Sequence, residues 1–344
     1  MRVFIGLLAV AALFVNSLSA GDQKTVKGKL PAGPVPPKTG IKTPGVQIPF
    51  SELKAEVEIP APDKPTWLFF SQSLYAPAKD HLDKIDVRAN KMGDPDKDIG
   101  KPCGGMASAF NSLWAADCSK GNLLRMDSRS LKVTATIPSG TSVRQGTLAA
   151  SGDSVWILSD EKVTLSRIDP DQNMIVSEFR LFPDCRNLTF GETSLWVTCE
   201  AENKVLRIDP KTSLVDKTIE VSAKPEAIAF GETSVWVLCG KDGRVDRIDP
   251  KTNKVSKSID LGVPNIDGGI AVGDGSVWVT MTGFPLTRID PTPEKELVVQ
   301  QFYGEGGGTI TFSTGQTTAI WLSNLNHGTL WRIDPKRVLA TLAE

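Results

Sequence analysis

"SVWVLCGKDGRVDRIDPKTNKV", residues 234–255, holds two alternating apolar stretches, a variable loop between them and a turn at Asp249-Pro250. The same arrangement stands at 194–215 as "SLWVTCEAENKVLRIDPKTSLV" and at 276–297 as "SVWVTMTGFPLTRIDPTPEKEL". Working outward with the aromatic of the Ser-x-Trp triplet as a marker finds Tyr75, Trp114, Trp156, Trp196, Trp236, Trp278 and Trp321. Their spacings are 39, 42, 40, 40, 42 and 43 residues. Self-similarity at a period of this length marks a repeat architecture, in which each unit buries its apolar face only against its neighbours.

Within one unit an apolar stretch such as "PEAIAF" (225–230) meets the turn "GETS", then the alternating "VWVLC", a variable loop, "RVDRID", the turn "DPKTNK" and "VSKSIDL". Alternation of period two reads as strand, and Gly, Asp, Thr and Pro between strands supply hairpin and type I turn chemistry. Four short antiparallel strands about every forty residues make one blade. The sequence therefore predicts an all-β, seven-bladed β-propeller with four-stranded antiparallel blades.

The Asp of Arg-Ile-Asp-Pro occurs in all units, as Asp86, Asp127, Asp169, Asp209, Asp249, Asp290 and Asp334. The basic residue before it is Lys84, Arg125, Arg167, Arg207, Arg247, Arg288 or Arg332. A catalytic group is needed once, so a group present in every blade is read as scaffold: turn caps and blade-to-blade ion pairs. The marker tryptophans are read as core. Closure of the ring requires an outer strand for the last blade, and both "AEVEIP" (55–60) and "VLATLA" (338–343) are placed to supply it.

The flanking sequence sets the context. Residues 1–20, with one Arg and an apolar run from Val3 to Val15, have the anatomy of a secretory signal peptide and are too short and poorly flanked to span a bilayer. Residues 21–54 are rich in Pro, Gly and Lys and read as an extended tether, with docking near Val46–Phe50. Residues 55–344 form the propeller. Lys and Arg number 39 against 40 Asp and Glu, which disfavours nucleic acid and anionic membranes as partners. A soluble monomer, periplasmic or secreted, is expected.

An exported chain with five cysteines invites disulfides. Cys103 and Cys118 flank Trp114, and Cys185 and Cys199 flank Trp196, in the same pattern, so each pair should sit at one end of an inner hairpin. Cys239 is left over. Five reduced core cysteines are the alternative.

Subtracting the repeat isolates the residues that begin each inner strand, on the face that carries the variable loops. Arg144, Gln145, Arg186, Asn187, Glu226 and Asp267 are predicted to ring the channel mouth, with Asp117, Asp160, Glu200 and Asn324 as a second tier. Two Arg facing two carboxylates could orient a small polar ligand. His81 and His327 fall at one loop position of adjacent blades and read as solvated loop side chains. "GEGGGT" (304–309) feeds a strand and lacks the Lys-Ser/Thr ending of a phosphate loop.

Units of the form G-(E/D)-x-S-V-W-V followed by V-x-R-I-D-P-x-T-x-K-V resemble the exported seven-bladed propellers grouped with virginiamycin B lyase and the bacterial YVTN-repeat (YncE-like) proteins, over residues 57–344. The lyase resemblance implies opening of a cyclic ester by elimination, with a His and Glu acid/base set and Mg²⁺ at the mouth. At the position where that lyase supplies Glu, three residues past each marker, this chain has Ala78, Asp117, Ser159, Cys199, Cys239, Met281 and Asn324, and no His begins an inner strand. The expected function is capture of a small molecule, glycan or protein partner at the mouth, without catalysis or cofactor. The alternative is a metal-assisted lyase or lactonase. Convergence of Glu226, Asp267, Asp117 and Glu200 favours the enzyme; pairing of these carboxylates to Arg144 or Arg186 favours binding.

Overall fold

The computed structural model describes residues 45–96, 98–141, 147–159 and 163–342. These form seven sheets in a ring, each carrying four antiparallel strands, in sequential order in six of them and with an N-terminal strand completing the seventh, so the molecule is a seven-bladed β-propeller. The fourth blade shows the plan: Cys185–Gly191 lines the channel, Ser194–Cys199 and Lys204–Asp209 follow, and Leu214–Glu220 is outermost. The second strand is buried along its whole length, because a sheet covers each of its faces. The outermost strand is exposed at every position except Ile219.

Local chemistry explains the hairpins. Glu192 and Thr193 both take positive φ, as do Glu232 and Thr233, the two-residue turn whose twist suits a hairpin. The glycine before that turn is needed for a different reason. A Cβ on Gly191 would lie 2.0 Å from the Phe230 ring of the next blade, and one on Gly273 would lie 2.2 Å from Phe312.

The repeated Asp caps the turn that follows it. Asp127 Oδ1 accepts from the backbone N–H groups of Arg129 and Ser130, Asp169 Oδ1 from those of Asp171 and Gln172, and Asp249 Oδ1 from that of Lys251. These backbone donors hold the three carboxyls below the usual aspartate range. Asp334 plays the same part for a short helix, Pro335–Ala340.

The expected blade-to-blade ion pairs are corrected in kind. Arg207 lies over its own Trp196, with its guanidinium carbon 5.1 Å from the ring centroid, and its Nε donates to Ser194 Oγ at 2.9 Å. Its Nη1 crosses to the next blade and donates to the Pro250 carbonyl and Asn253 Oδ1, each at 2.7 Å. Arg125 reaches Asn173 in the same way, and Arg332 reaches Asn90 across the closure. The acceptors are thus a carbonyl and an amide. Among the described residues only Arg247, on Glu296, makes the crossing as an ion pair, while Arg167 pairs with Asp153 of its own blade.

Of the two closing candidates, the N-terminal one is used. Val57–Pro60 pairs antiparallel with Thr329–Arg332 and completes the seventh blade. Residues 338–340 of the other candidate belong instead to the Pro335–Ala340 helix, which buries Val338. Val46–Pro49 lies parallel on Gln300–Tyr303 as a fifth strand of the sixth blade, and Phe50 stacks on Trp331 with centroids 4.6 Å apart. Among the described residues no helix is long and apolar enough to cross a membrane.

Candidate functional site at the channel mouth

The strand order sends the starts of the inner strands and the loops after the second strands to one face. Both predicted disulfides are formed there: Cys103–Cys118, with Cα atoms 5.9 Å apart, and Cys185–Cys199, which face each other in register. They suit an oxidising compartment. Cys239 is a buried free thiol, pushed far up by burial and by the nearby carboxylates of Asp246 and Asp242.

Beside the Cys185–Cys199 bond stand Arg186, in the irregular stretch between Cys185 and Leu188, and Glu200, in the turn that follows the second strand. Arg186 and Glu200 form an ion pair, Nη1 to Oε2, at 2.5 Å. In the adjacent blade Lys224 Nζ sits between two carboxylates, 2.9 Å from Glu226 Oε2 and 2.6 Å from Asp267 Oδ1. Burial raises the Glu226 pKa above the ordinary glutamate range, and Lys224 only partly offsets it. Burial also works against the Lys224 ammonium, yet its hydrogen bonds to Asp267 and Glu226 prevail and its pKa is raised. Asn187 Nδ2 donates to the Glu226 carbonyl and so ties the two blades together.

The second tier is more structural. Asp117 is 1 % exposed, and its Oδ1 accepts from Lys101 N, Ser119 N and Ser119 Oγ. Asn324, also 1 % exposed, accepts from Asn326 N and His327 N through Oδ1. Both brace a loop. Arg144, Gln145 and Asp160 lie outside the described residues. His81 is held between Asp80 and Asp83, with Nδ1 and Nε2 at 2.8 and 3.0 Å from the two carboxylates. His327 stands 3.6 Å from Glu305.

The structure therefore brings Arg186, Asn187, Glu200, Glu226 and Asp267 together and leaves Asp117 and Asn324 to their loops. Sequence reasoning missed Lys224. A Lys-Pro pair begins the inner strand both at Lys101-Pro102 and at Lys224-Pro225, and that repetition at a variable position was the available signal.

Two cavities meet at the mouth. One, of about 430 Å³, is lined by Arg186, Asn187, Glu226 and Asp267 with the backbone of Gly268, Gly307 and Gly308. The other, of about 380 Å³, is the channel itself and shares Asn187, Glu226, Gly268 and Thr309 with the first. One residue above the partner of each marker aromatic, every blade lines the channel with an apolar side chain: Leu68, Met106, Leu148, Leu188, Ile228, Ile270 and Ile310. Three buried polar atoms of this cluster, Arg186 Nε, Glu200 Oε2 and Glu226 Oε1, make no hydrogen bond, Glu200 Oε2 meeting Arg186 only as an ion pair.

The carboxylates do not suit the divalent ion that the lyase resemblance implies. Glu226 and Asp267 share an ammonium, Glu200 is held by Arg186, and Asp117 is engaged by its own loop. Among the described residues no three His, Cys, Asp or Glu side chains gather as a metal ligand set.

No family model matches the chain, and no curated protein does. Solved structures do. A streptogramin B lyase superposes with a TM-score of 0.67 at 16 % identity, covering 82 % of this chain and 96 % of that one. Virginiamycin B lyase from Staphylococcus aureus gives 0.66 at 16 %, covering 80 % and 97 %. A chain of the mitotic checkpoint complex gives 0.68 at 13 %, covering 82 % and 96 %. Proteins of such different roles match equally well, so the likeness is one of fold, the propeller shared with virginiamycin B lyase.

Proposed function

We propose that this chain is an exported binding protein that captures a small molecule at the channel mouth. The supporting observation is a cavity at whose wall a guanidinium, Arg186, stands beside a carboxyl, Glu226, together with Asn187 and Asp267. A ligand seated there can offer an acceptor to the first and a donor to the second, which fixes its orientation. The cavity's 430 Å³ falls within the range of small-molecule sites, roughly 300–1,000 Å³. The ion pairs on either side, Arg186 with Glu200 and Lys224 with Glu226 and Asp267, hold both groups in place before any ligand arrives.

The test is a ligand-observed NMR screen of small amines, amides, amino acids and monosaccharides against the wild-type protein and against Arg186→Gln and Glu226→Gln. Hits that weaken in both variants support the reading. Hits indifferent to both variants, or none at all, overturn it. A second reading, lyase or lactonase chemistry on a cyclic ester, has the raised pKa of Glu226 in a cleft in its favour. It requires turnover of a cyclic depsipeptide that disappears in Glu226→Gln. The binding reading expects no turnover, with or without Mg²⁺.

A further inference from the structure

We infer that the mouth site continues outward into a third cavity and that its ligand is an uncharged polyhydroxylated chain, a neutral oligosaccharide with units in both. This deepens the proposal of a mouth site and rests on it. The third cavity, of about 500 Å³, lies among loops of the fourth, fifth and sixth blades, and every side chain that lines it except Ala201 is charged or an amide. Asp267 lines both this cavity and the 430 Å³ one, so the two meet there.

The rim of this cavity is held rigidly. Ser222, Ala223 and Lys224 present three consecutive backbone N–H groups, and each donates to a side chain, to Asp246 Oδ2 at 2.6 Å, Asp242 Oδ2 at 2.7 Å and Asn203 Oδ1 at 3.0 Å. Asp246 is 1 % exposed and pairs in register with Val237, where the fourth blade pairs Leu206 with Val197. A carboxylate in place of an apolar side chain is costly to bury without such donors. The fifth blade thus departs from the repeat in a way that fixes the rim. Lys224 has a φ of 62°, a left-handed conformation uncommon for lysine, and strain of this kind gathers at binding sites.

The class of ligand follows from which groups are already committed. Glu200 is held by Arg186, and Lys224 by Glu226 and Asp267. Among the described residues Lys241 is the one cation of the cavity without a partner, and it shares that cavity with Asp184, Glu200 and Asp267, so an anion is repelled there as well as attracted. What remains uncommitted is mixed. Asn203 Nδ2 and Lys241 Nζ donate, exposed Asp267 accepts, and the Asn265 amide does both. A hydroxyl is donor and acceptor at once, so a ligand rich in hydroxyls can answer all of them without displacing an ion pair. A peptide is served less well, because the lining comes from loops that offer no strand edge and no apolar pocket for a side-chain anchor.

The test is calorimetric titration of the full chain with chain lengths one to four of α-1,4-linked glucose, β-1,4-linked glucose and β-1,4-linked N-acetylglucosamine, with oligogalacturonate as the charged control and tetraglycine as the peptide control. In at least one neutral series affinity should rise about tenfold between one unit and three, the gain of one or two further hydrogen bonds, and then level off. Lys241→Ala combined with Asn265→Gly should abolish that gain and leave the single sugar unaffected. Neither side chain has a partner in the fold and Asn265 has a φ of 56°, which glycine tolerates, so the double variant should keep its melting temperature. Arg186→Gln should weaken every length. A series that does not lengthen into tighter binding, or a gain that survives the double variant, overturns the continuation into the third cavity. Oligogalacturonate or tetraglycine binding as tightly as the best neutral sugar overturns the choice of ligand. Hits from the NMR screen that need Arg186 and Glu226, with every oligosaccharide silent, overturn this inference alone and leave the mouth site standing; silence in both experiments overturns the mouth site as well.

Discussion

Replacing Arg207 by Ala tests whether the arginine latch, beyond the tryptophans, joins one blade to the next. The change removes two hydrogen bonds to the following blade, on the Pro250 carbonyl and Asn253 Oδ1, another to Ser194 Oγ and the guanidinium above Trp196. A hydrogen bond involving a charged group contributes about 1.5–3 kcal/mol, and a partly exposed cation over an aromatic face about 0.5–1. The bonds share one side chain and their acceptors regain water, so the terms do not add fully, and the net loss should be about 3 kcal/mol. In urea, with a slope of about 3 kcal/mol per molar, the midpoint falls by about 1 M. Arg207→Lys keeps a charge but can satisfy only part of this geometry, and should lose about half as much. Equilibrium denaturation followed by tryptophan fluorescence and by far-UV dichroism reads both variants. A shift below about 0.2 M for the alanine variant would show that blade adhesion resides in apolar packing alone, and the latch argument would be wrong.

Four further outcomes are expected. Asp127→Asn should lower the melting temperature at neutral pH, and the difference should close on acidification. The Asp127 carboxyl titrates below its ordinary value of 3.8, so its contribution is present above that pH and is lost as pH falls through the folded value; a gap that does not narrow as the pH is lowered below 3.8 contradicts the capping role. Native protein should show no thiol reactive to an aromatic disulfide reagent, denatured protein one and reduced denatured protein five, because Cys239 is buried with a raised pKa and the other cysteines are bonded; a different denatured count disproves the pairing. Cys185→Ser with Cys199→Ser should cost about 3 kcal/mol and weaken any ligand that needs Arg186, since the bond joins the residues next to Arg186 and Glu200. Deleting residues up to Pro60 should leave the seventh blade unclosed and promote association, visible by light scattering, whereas deleting residues beyond Ala340 should not.

What could be read beforehand followed from strict repetition. Seven Asp at one place in seven turns could hardly be anything but caps, and the tryptophans' spacing set the number of blades before any contact was known. The disulfides were legible because two blades repeat one placement of Cys around the marker. Less was legible at the mouth, where the partners come from different blades. Lys224 adopts a positive φ, and whether its ammonium meets Glu226 and Asp267 depends on that backbone geometry, which residue type alone does not determine. Asp117 and Asn324 were grouped with Glu200 as residues just past the marker aromatics, but each is folded back onto its own loop. Val46–Pro49 is too short for its periodicity to announce a parallel strand. The helix at Pro335 begins where the repeated turn should have been, its Asp334 cap serving either structure equally well.

Joining the ring through Val57–Pro60 on Thr329–Arg332 has a consequence for how the chain is made. Partners so far apart in sequence cannot meet until almost all of the polypeptide is available, and contacts of such separation are slow to form. A nascent chain must therefore keep an orphan strand out of trouble through the synthesis of six sectors, with exposed backbone that invites mispairing. Completion is all-or-nothing at the seam, which makes a fragment ending anywhere before residue 329 a target for degradation.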